Sequence, residues 1–567
     1  MWNINIPILK KSLPVILILL LALGLRLYRI HQFDLWNDEL FTHQFSYDYF
    51  KATTAADSPP ASHRLLSQLK KELHPPIYYI LVYLYSRFWA GGVSLRYLSL
   101  FFSFLSLIFF YLLSRRILGR RAGLYALALM AIHPWHIYYA QEARAYALHC
   151  FLCLGIIYAL LQAVHTNKKG YWTLFAITGF LAIGTNYLAG FLLVASGSLF
   201  VFKDYRKYLR RWMMAWPAVL ILGAVWFPWF GEQWMIVKDH FWFTAPDTKT
   251  VLGTALAAML GYNATPIQYV LAFCLFSSLS ILGAMRLFDT NRDMLFFLLS
   301  LLVFPFLAVY LISITFVRIY IPRQFLHLSP FYYIFVAAGL DHIKQRWRRN
   351  LVFGGCLLLL SVSLFNYYNG YMLHGYHPAF YFPGIFPKRN YSSVMHSLRK
   401  NFKQSDFIAT TDIGSQLMIM TSLTSKKTAP NKIPALNIFF LFYPERLSDL
   451  SKIGFDIKED IRVLKPEKRK SLHGLFMRKP LRFFRDIEDI RRFHWVRLWV
   501  ISTAWYYSTD ACHDPARLDI SPLTKDLTLV SSQANDGICL ELYTRDRPSI
   551  PETAPAPRTG TGQEANN

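Results

Sequence analysis

The sequence predicts a polytopic α-helical membrane protein with a small α/β domain near its C-terminal end. Three observations predict it. The 567 residues are 54% hydrophobic and 17% aromatic, and mean hydropathy is +0.27. The apolar residues come in blocks of about 15 to 24, the length a helix needs to cross a bilayer's hydrocarbon layer. Finally, the basic excess, 60 Lys+Arg against 34 Asp+Glu for a formal net charge of +26, falls largely in short loops between those blocks. That placement is a topology signal, so no nucleic-acid partner is expected.

The first apolar stretch follows Lys10 and Lys11 and lacks a small-residue cleavage site, which reads as an uncleaved first span. The basic loops "SRRILGRR" (114–121), "HTNKKG" (165–170), "KDYRKYLRRW" (203–212), "RLFDTNRD" (286–293) and "DHIKQRWRRN" (341–350) belong on the cytoplasmic side. They all fall there only if "PPIYYILVYLYSRFWAGG" (75–92) is not a span. Two leading prolines, Arg87 and a short apolar run fit a surface or re-entrant helix instead. Eleven spans follow, near 12–30, 95–113, 122–140, 144–164, 172–187, 188–202, 213–230, 265–285, 294–315, 323–340 and 351–368. The expected placement is multi-pass in the cell (inner) membrane, N-terminus cytoplasmic and C-terminal domain outside.

Residues 1–370 thus form the membrane domain, with a long first outer loop at 31–94. Residues 371–546 read as a mixed α/β outer domain. Strands are predicted at "SDFIATTD", "RLWVISTAW" and the hairpin "LTLVSSQANDGICLELYTRD". Its basic stretch "KPEKRKSLHGLFMRKPLRFFRD" reads as a solvated or headgroup-facing surface, and the tail 547–567, rich in Pro, Thr and Gly, as disordered. Cys512 and Cys539 can pair if this domain is extracytoplasmic. Cys150, Cys153, Cys274 and Cys356 lie in apolar blocks and read as packing.

No phosphate loop, Asp-x-Asp pair or Gly-x-Ser-x-Gly elbow occurs. What remains are acids, His and Arg at the outer ends of spans. Asp38 and Glu39, in "FDLWNDELF", stand in an aromatic setting. A carboxylate there can take a proton from an attacking hydroxyl, with burial expected to raise its pKa toward a useful base. A helix cap is the plain alternative. Glu142 and Arg144, in "YYAQEARAY", suit either a phosphate clamp or an ion pair between spans. Arg323, with Arg318 behind it, suits a second phosphate contact or a headgroup anchor. His74, in "LHPPIYY", is open to three readings: a metal ligand with Glu39 or Glu142, a phosphate contact, or a cap. His133 and His136, in "HPWH", have ligand-like spacing but read better as interfacial anchors.

Taken in order, "LWNDELF", "HPPIYYIL", "SLRYLSLFFSFL", "ILGRRAGLYALALMAIHPWHIYYAQEARAYAL" and "PRQFLHLSPFYYIFVAAGL" resemble membrane glycosyltransferases of the GT-C fold. Within these, they are most similar to the bacterial protein O-mannosyltransferase-like and lipid A aminoarabinose transferase-like group. The resemblance spans roughly 12–340 and is densest at 34–146. It implies a polyprenyl-phosphate-linked sugar donor, Asp38 as general base with Glu39 beside it, and Glu142 and Arg144 near the donor phosphate. Some relatives carry an extra acid where this chain has His74, so the resemblance leaves dependence on a divalent metal open, and the reaction as read does not call for one. The expected reaction is transfer with inversion from the lipid phosphate to an acceptor hydroxyl on a glycan, lipid or protein. The rival reading is a transporter or flippase of lipid-linked glycans, which calls for polar residues at mid-membrane depth.

Overall fold

The computed structural model describes residues 6–47, 61–70, 72–89, 91–224, 226, 230–231, 233–234 and 245–371. In the C-terminal part it describes 391–403, 406–410, 438–440, 482–483, 496–503, 512, 524, 527–535 and 538–544. The basic stretch 465–486 lies mostly outside these residues, and the tail 547–567 wholly so.

Every predicted span falls on helix as far as the described residues reach. The first is Ile6–Leu27, the second Arg96–Leu118 and the fourth Tyr146–Thr166. The third is split by Pro134 into Arg120–Ile132 and Pro134–Ala140, because proline cannot donate to the preceding turn. The fifth is Lys169–Ile183, and the sixth, Ala189–Ser196, tightens into a 3₁₀ turn at Gly197–Val201. Leu209–Ala224, Pro266–Thr290 and Arg292–Thr315 follow. The tenth opens as a 3₁₀ segment, Pro322–Leu328, and continues as Ser329–His342; the last is Arg346–Tyr368. Among the described residues, five helices are long and apolar enough to cross a membrane on length and composition: Gly92–Leu118, Tyr146–Thr166, Pro266–Thr290, Arg292–Thr315 and Arg346–Tyr368.

The segment near 75–92 forms a helix only at Ile77–Tyr85. At 1.5 Å per residue nine residues rise about 13 Å, less than half the hydrocarbon thickness. Tyr78, Tyr79 and Val82 are buried, while Phe88 and Trp89 are exposed. Among the described residues, helices outside the predicted spans include Asn37–His43 and Ala61–Leu69 in the first loop, and Thr248–Leu260.

Two helices cross at unusually close range. A methyl group at Gly283 would overlap the Phe335 carbonyl, and one at Gly339 would overlap that of Leu279. Helices Pro266–Thr290 and Ser329–His342 therefore touch backbone to backbone, as small residues permit in membranes. At one end of this pair Asp341 binds Arg286 at 2.5 Å and also Arg121. Three of the basic loops, 114–121, 286–293 and 341–350, thus meet at one end of the bundle. Arg323 lies 18 residues before Asp341 along the same 3₁₀-plus-helix element, at the opposite end.

The C-terminal part contains one sheet of order β3-β2-β1-β4-β6-β5. Its strands are β1 Phe407–Thr410, β2 Ile438–Phe440, β3 Arg482–Phe483, β4 Arg497–Thr503, β5 Thr528–Asn535 and β6 Ile538–Thr544. β1 pairs in parallel with β2 and β4, while β6 pairs antiparallel with β4 and β5. All three predicted strand segments are present, the hairpin included. Helix Tyr391–Asn401 packs Val394, Met395 and Leu398 on Ile408, Trp499 and Leu540. Cys512 and Cys539 form a disulfide.

Candidate active site

The site is built from a knot that fixes the first loop. Glu39 is fully buried. Its Oε1 accepts hydrogen bonds from Arg96 Nε (2.8 Å) and the Ala143 amide (2.8 Å). Its Oε2 accepts from Arg96 Nη2 (2.6 Å) and, more loosely, from the Trp36 amide (3.3 Å), which closes the start of helix Asn37–His43. The same guanidinium donates to the carbonyls of Ile30 (2.8 Å), Phe33 (2.7 Å) and Asp34 (2.9 Å). One buried ion pair therefore joins the first loop, the start of helix Arg96–Leu118 and the second loop. Both oxygens of Glu39, a residue expected beside Asp38 among the reacting groups, thus accept hydrogen bonds from Arg96 and from backbone amides.

Asp38, one residue earlier, projects elsewhere. Its Oδ2 lies 2.8 Å from Arg323 Nη1, with the Asp38 side chain 21% exposed and that of Arg323 8%. Arg323 also lies over the rings of Tyr146 (5.6 Å) and Trp36 (5.9 Å). Arg144 completes the wall. Its Nη1 reaches the Asp38 carbonyl, Thr42 Oγ1 and Tyr79 OH, each at 3.3 Å.

These charges overturn the expected direction of the Asp38 pKa. Burial pushes it up, but the guanidiniums of Arg323 and Arg144, together with His74, outweigh burial and hold it below the usual carboxylate value. At rest Asp38 is a stable anion, not a raised-pKa base.

Glu72 is the site residue that sequence reasoning passed over. Its Oε1 lies 2.7 Å from His74 Nδ1 and accepts from Tyr79 OH at 3.2 Å. Burial raises its pKa, but the hydrogen bond and charge of His74, then Arg144 and the Tyr79 hydroxyl, lower it further than burial lifts it. His74 therefore pairs with Glu72 and not, as one reading had it, with Glu39 or Glu142. The signal was present in "KELHPPIYY": an acid two residues before His74 and seven before Tyr79.

Glu142 is buried (1% exposed) and lies close enough to Arg323 and Arg96 to act on both as a charge. Arg318 is exposed. His133 and His136 are buried rather than interfacial. His133 Nδ1 accepts from the Trp135 amide at 3.2 Å, and His136 Nε2 lies 2.8 Å from Ser329 Oγ. Both serve packing and capping. Among the described residues, no set of three donors drawn from Asp38, Glu72, His74 and Glu142 converges to metal-ligand spacing. No step is therefore assigned to a divalent metal.

The arrangement can do two things. It can neutralise a dianionic phosphate with two guanidiniums, and it can present one carboxylate beside that phosphate. Residues 73–230 match the family model described as dolichyl-phosphate-mannose-protein mannosyltransferase. No curated protein matches in sequence. Among solved structures, ArnT from Cupriavidus metallidurans in the apo state aligns with TM-score 0.54 and 11% identity, over 93% of this chain and 97% of that one. ArnT from the same organism bound to undecaprenyl phosphate aligns with TM-score 0.54 and 12% identity, over 94% and 98%. The chain accordingly has the GT-C fold, and its segment 73–230 is similar to the dolichyl-phosphate-mannose-protein mannosyltransferase family.

Proposed function

We propose that the protein transfers a hexosyl or pentosyl group from a polyprenyl-phosphate donor to an acceptor hydroxyl on the extracytoplasmic side of the membrane, with inversion at the anomeric carbon. The observation that carries this reading is the triangle of Asp38, Arg323 and Arg144 at the bundle end opposite the basic loops. Cytoplasmic Lys and Arg would place that end outside, and a disulfide in the C-terminal domain suits the same compartment. The undecaprenyl phosphate bound to the ArnT structure is the kind of ligand that two guanidiniums beside lipid would hold.

In the resting site Arg323 is engaged by Asp38. A donor phosphate competes for that guanidinium and for Arg144. As the phosphate draws Arg323 away, Asp38 loses the charge that depresses its pKa and gains basicity next to the sugar. The acceptor hydroxyl gives its proton to Asp38 while its oxygen attacks the anomeric carbon. The bond from that carbon to the phosphate oxygen breaks, and the lipid phosphate leaves with both arginines opposing its growing charge. Glu39 fixes the helix that carries Asp38. Glu142 adds a counter-charge to Arg323, and Glu72 with His74 borders the Arg144 side.

The test is turnover by the full-length protein in detergent, where no sealed membrane exists. Radiolabelled polyprenyl-phosphate sugars and extracted envelope acceptors should yield free polyprenyl phosphate in step with glycosylated acceptor. Release of none, together with movement of lipid-linked sugars across liposomes by the same preparation, would show a flippase instead.

A further inference from the structure

We propose that His149, Cys153 and His327 form a buried site for a soft monovalent metal ion, Cu(I), that staples helix Tyr146–Thr166 to the Pro322–Leu328 turn behind Arg323. The three side chains come from two elements far apart in sequence. Their ligand atoms all lie within 4.8 Å of one another. Histidine and cysteine four residues apart share a helix face, and Cys153 Sγ lies 3.9 and 3.8 Å from the two ring nitrogens of His149. Sulfur nearly equidistant from both nitrogens lies to the Cε1 side of the ring, so binding a shared ion, with sulfur at ~2.3 Å and nitrogen at ~2.0 Å, requires the His149 ring to turn until one nitrogen points at it. The His149 and His327 rings approach to 4.4 Å between centroids.

A second observation points to a ligand. His327 Nδ1 lies 2.9 Å from the Gln324 carbonyl oxygen, which can only accept. The proton therefore sits on Nδ1, and Nε2 carries a lone pair. That nitrogen belongs to a side chain only 2% exposed and has no hydrogen-bond partner among the described residues. A carbonyl holding one ring nitrogen while the other faces inward is how proteins orient a metal-binding histidine.

The surroundings choose the ion. A cysteine thiolate, two neutral imidazoles and Cu(I) sum to zero charge, whereas Zn(II) would leave a net positive charge in a buried pocket. Arg323, four residues before His327, and Arg144, five before His149, make a further positive charge less welcome there. Soft thiolate with imidazole is a ligand set that Cu(I) accepts. Occupancy would lock the turn carrying Arg323 against the helix carrying Tyr146, the ring over which Arg323 lies. The site takes no part in the transfer reaction and stands independently of it.

The experiment uses full-length protein purified anaerobically in detergent and titrated with Cu(I) buffered by bicinchoninate. One copper per chain is expected, with an X-ray absorption spectrum showing one sulfur and two nitrogen neighbours. Cys153→Ser and His327→Gln should each weaken copper binding by more than ~100-fold. Cys150→Ser, a buried neighbour outside the trio, should leave it unchanged. The proposal fails if wild-type protein yields its copper fully to bicinchoninate, or if both trio variants retain it. The spectrum is read on wild-type protein alone, so it decides even where a variant does not fold: absence of the sulfur neighbour overturns the site. Displacement of Cu(I) by an equal free concentration of Zn(II) overturns the choice of ion.

Discussion

An α-helix turns about 100° per residue, so Asp38 and Glu39 leave their shared helix in different directions and meet different partners. Glu39 meets Arg96 and Asp38 meets Arg323. Conservative amides separate the two roles. Asp38→Asn should lower turnover about 10²-fold or more, since an amide cannot accept the proton, while its melting temperature falls less than that of Glu39→Gln, because the Asp38 side chain is 21% exposed and Glu142 also acts on Arg323. Glu39→Gln should do the reverse. It leaves Arg96 buried without its counter-charge, a loss of roughly 3–5 kcal/mol, so thermal stability drops while the surviving folded fraction still turns over. A melting curve and a turnover number for each variant check both, and equal behaviour of the pair would remove the distinction. A second residue-level test uses pH. Because the folded Asp38 pKa is depressed below 3.8, the ion pair's contribution is present above that ordinary value and is lost only as pH falls through the lower folded value. The acid limb of kcat/KM, which reports the free enzyme, should therefore lie below pH 3.8 in the wild type. Arg323→Gln removes the strongest lowering influence and leaves burial in place, so the limb should move to higher pH. An unmoved limb would mean that Asp38 is not the titrating base. Asp38, Arg144 and Arg323 were legible in the sequence because acids and arginines beside apolar blocks need a reason to be there. The structural role of Glu39 was not legible, since its partner Arg96 lies 57 residues away in a stretch that reads as the start of a span. Glu72 was obscured by the lysine pair before it, which makes its neighbourhood look like solvated loop.

At the scale of elements, hydrophobic blocks recorded where the helices are but not how closely they approach. Nothing in "ILGAM" or "VAAGLD" distinguishes a lipid-facing glycine from one pressed on a carbonyl. The structure does: Gly283 and Gly339 have no room for a methyl, whereas Gly354, in helix Arg346–Tyr368, has open space where a methyl would sit. Gly339→Ala should therefore lower thermal stability in detergent by about 1–3 kcal/mol, the usual cost of overpacking. Gly354→Ala should be neutral or add about 0.5–1 kcal/mol through helix propensity. A shared response would show that the close crossing does not hold the bundle together. The missed helix Thr248–Leu260 has a similar explanation. Its 13 residues are too few to span, and Gly253 and Thr254 interrupt its apolar run, so length and pattern together made it read as loop. By contrast, the strands "RLWVIST" and "ICLELYT" were legible because short β-rich runs bounded by polar turns carry their own signature.

For the whole molecule, the functional reading depends on which end of the bundle faces outward. The structure separates two ends: one where Asp341 gathers Arg121 and Arg286, and one where Asp38 meets Arg323. A lipid-linked donor presented outside needs the second end there, and the positive-inside rule is what the proposed orientation rests on. Single cysteines can decide. The obvious loop glycines are poor hosts, because a side chain at Gly91 would come within 3.1 Å of His43 and Gly119 has a φ of +85°. Arg87 and Arg120 are exposed and charged, so each faces water or headgroups rather than core. In a Cys274→Ser background, which removes the exposed free thiol among the described residues, Arg87→Cys in intact cells should react with a membrane-impermeant maleimide. Arg120→Cys should react only after the membrane is permeabilised. The two positions lie on either side of helix Arg96–Leu118, so a single crossing must put them in different compartments. Labelling of both from outside would mean that this helix does not cross. Labelling of Arg120→Cys alone would turn the bundle over, move Asp38 and Arg323 to the cytoplasmic face, and leave an extracytoplasmic acceptor out of their reach.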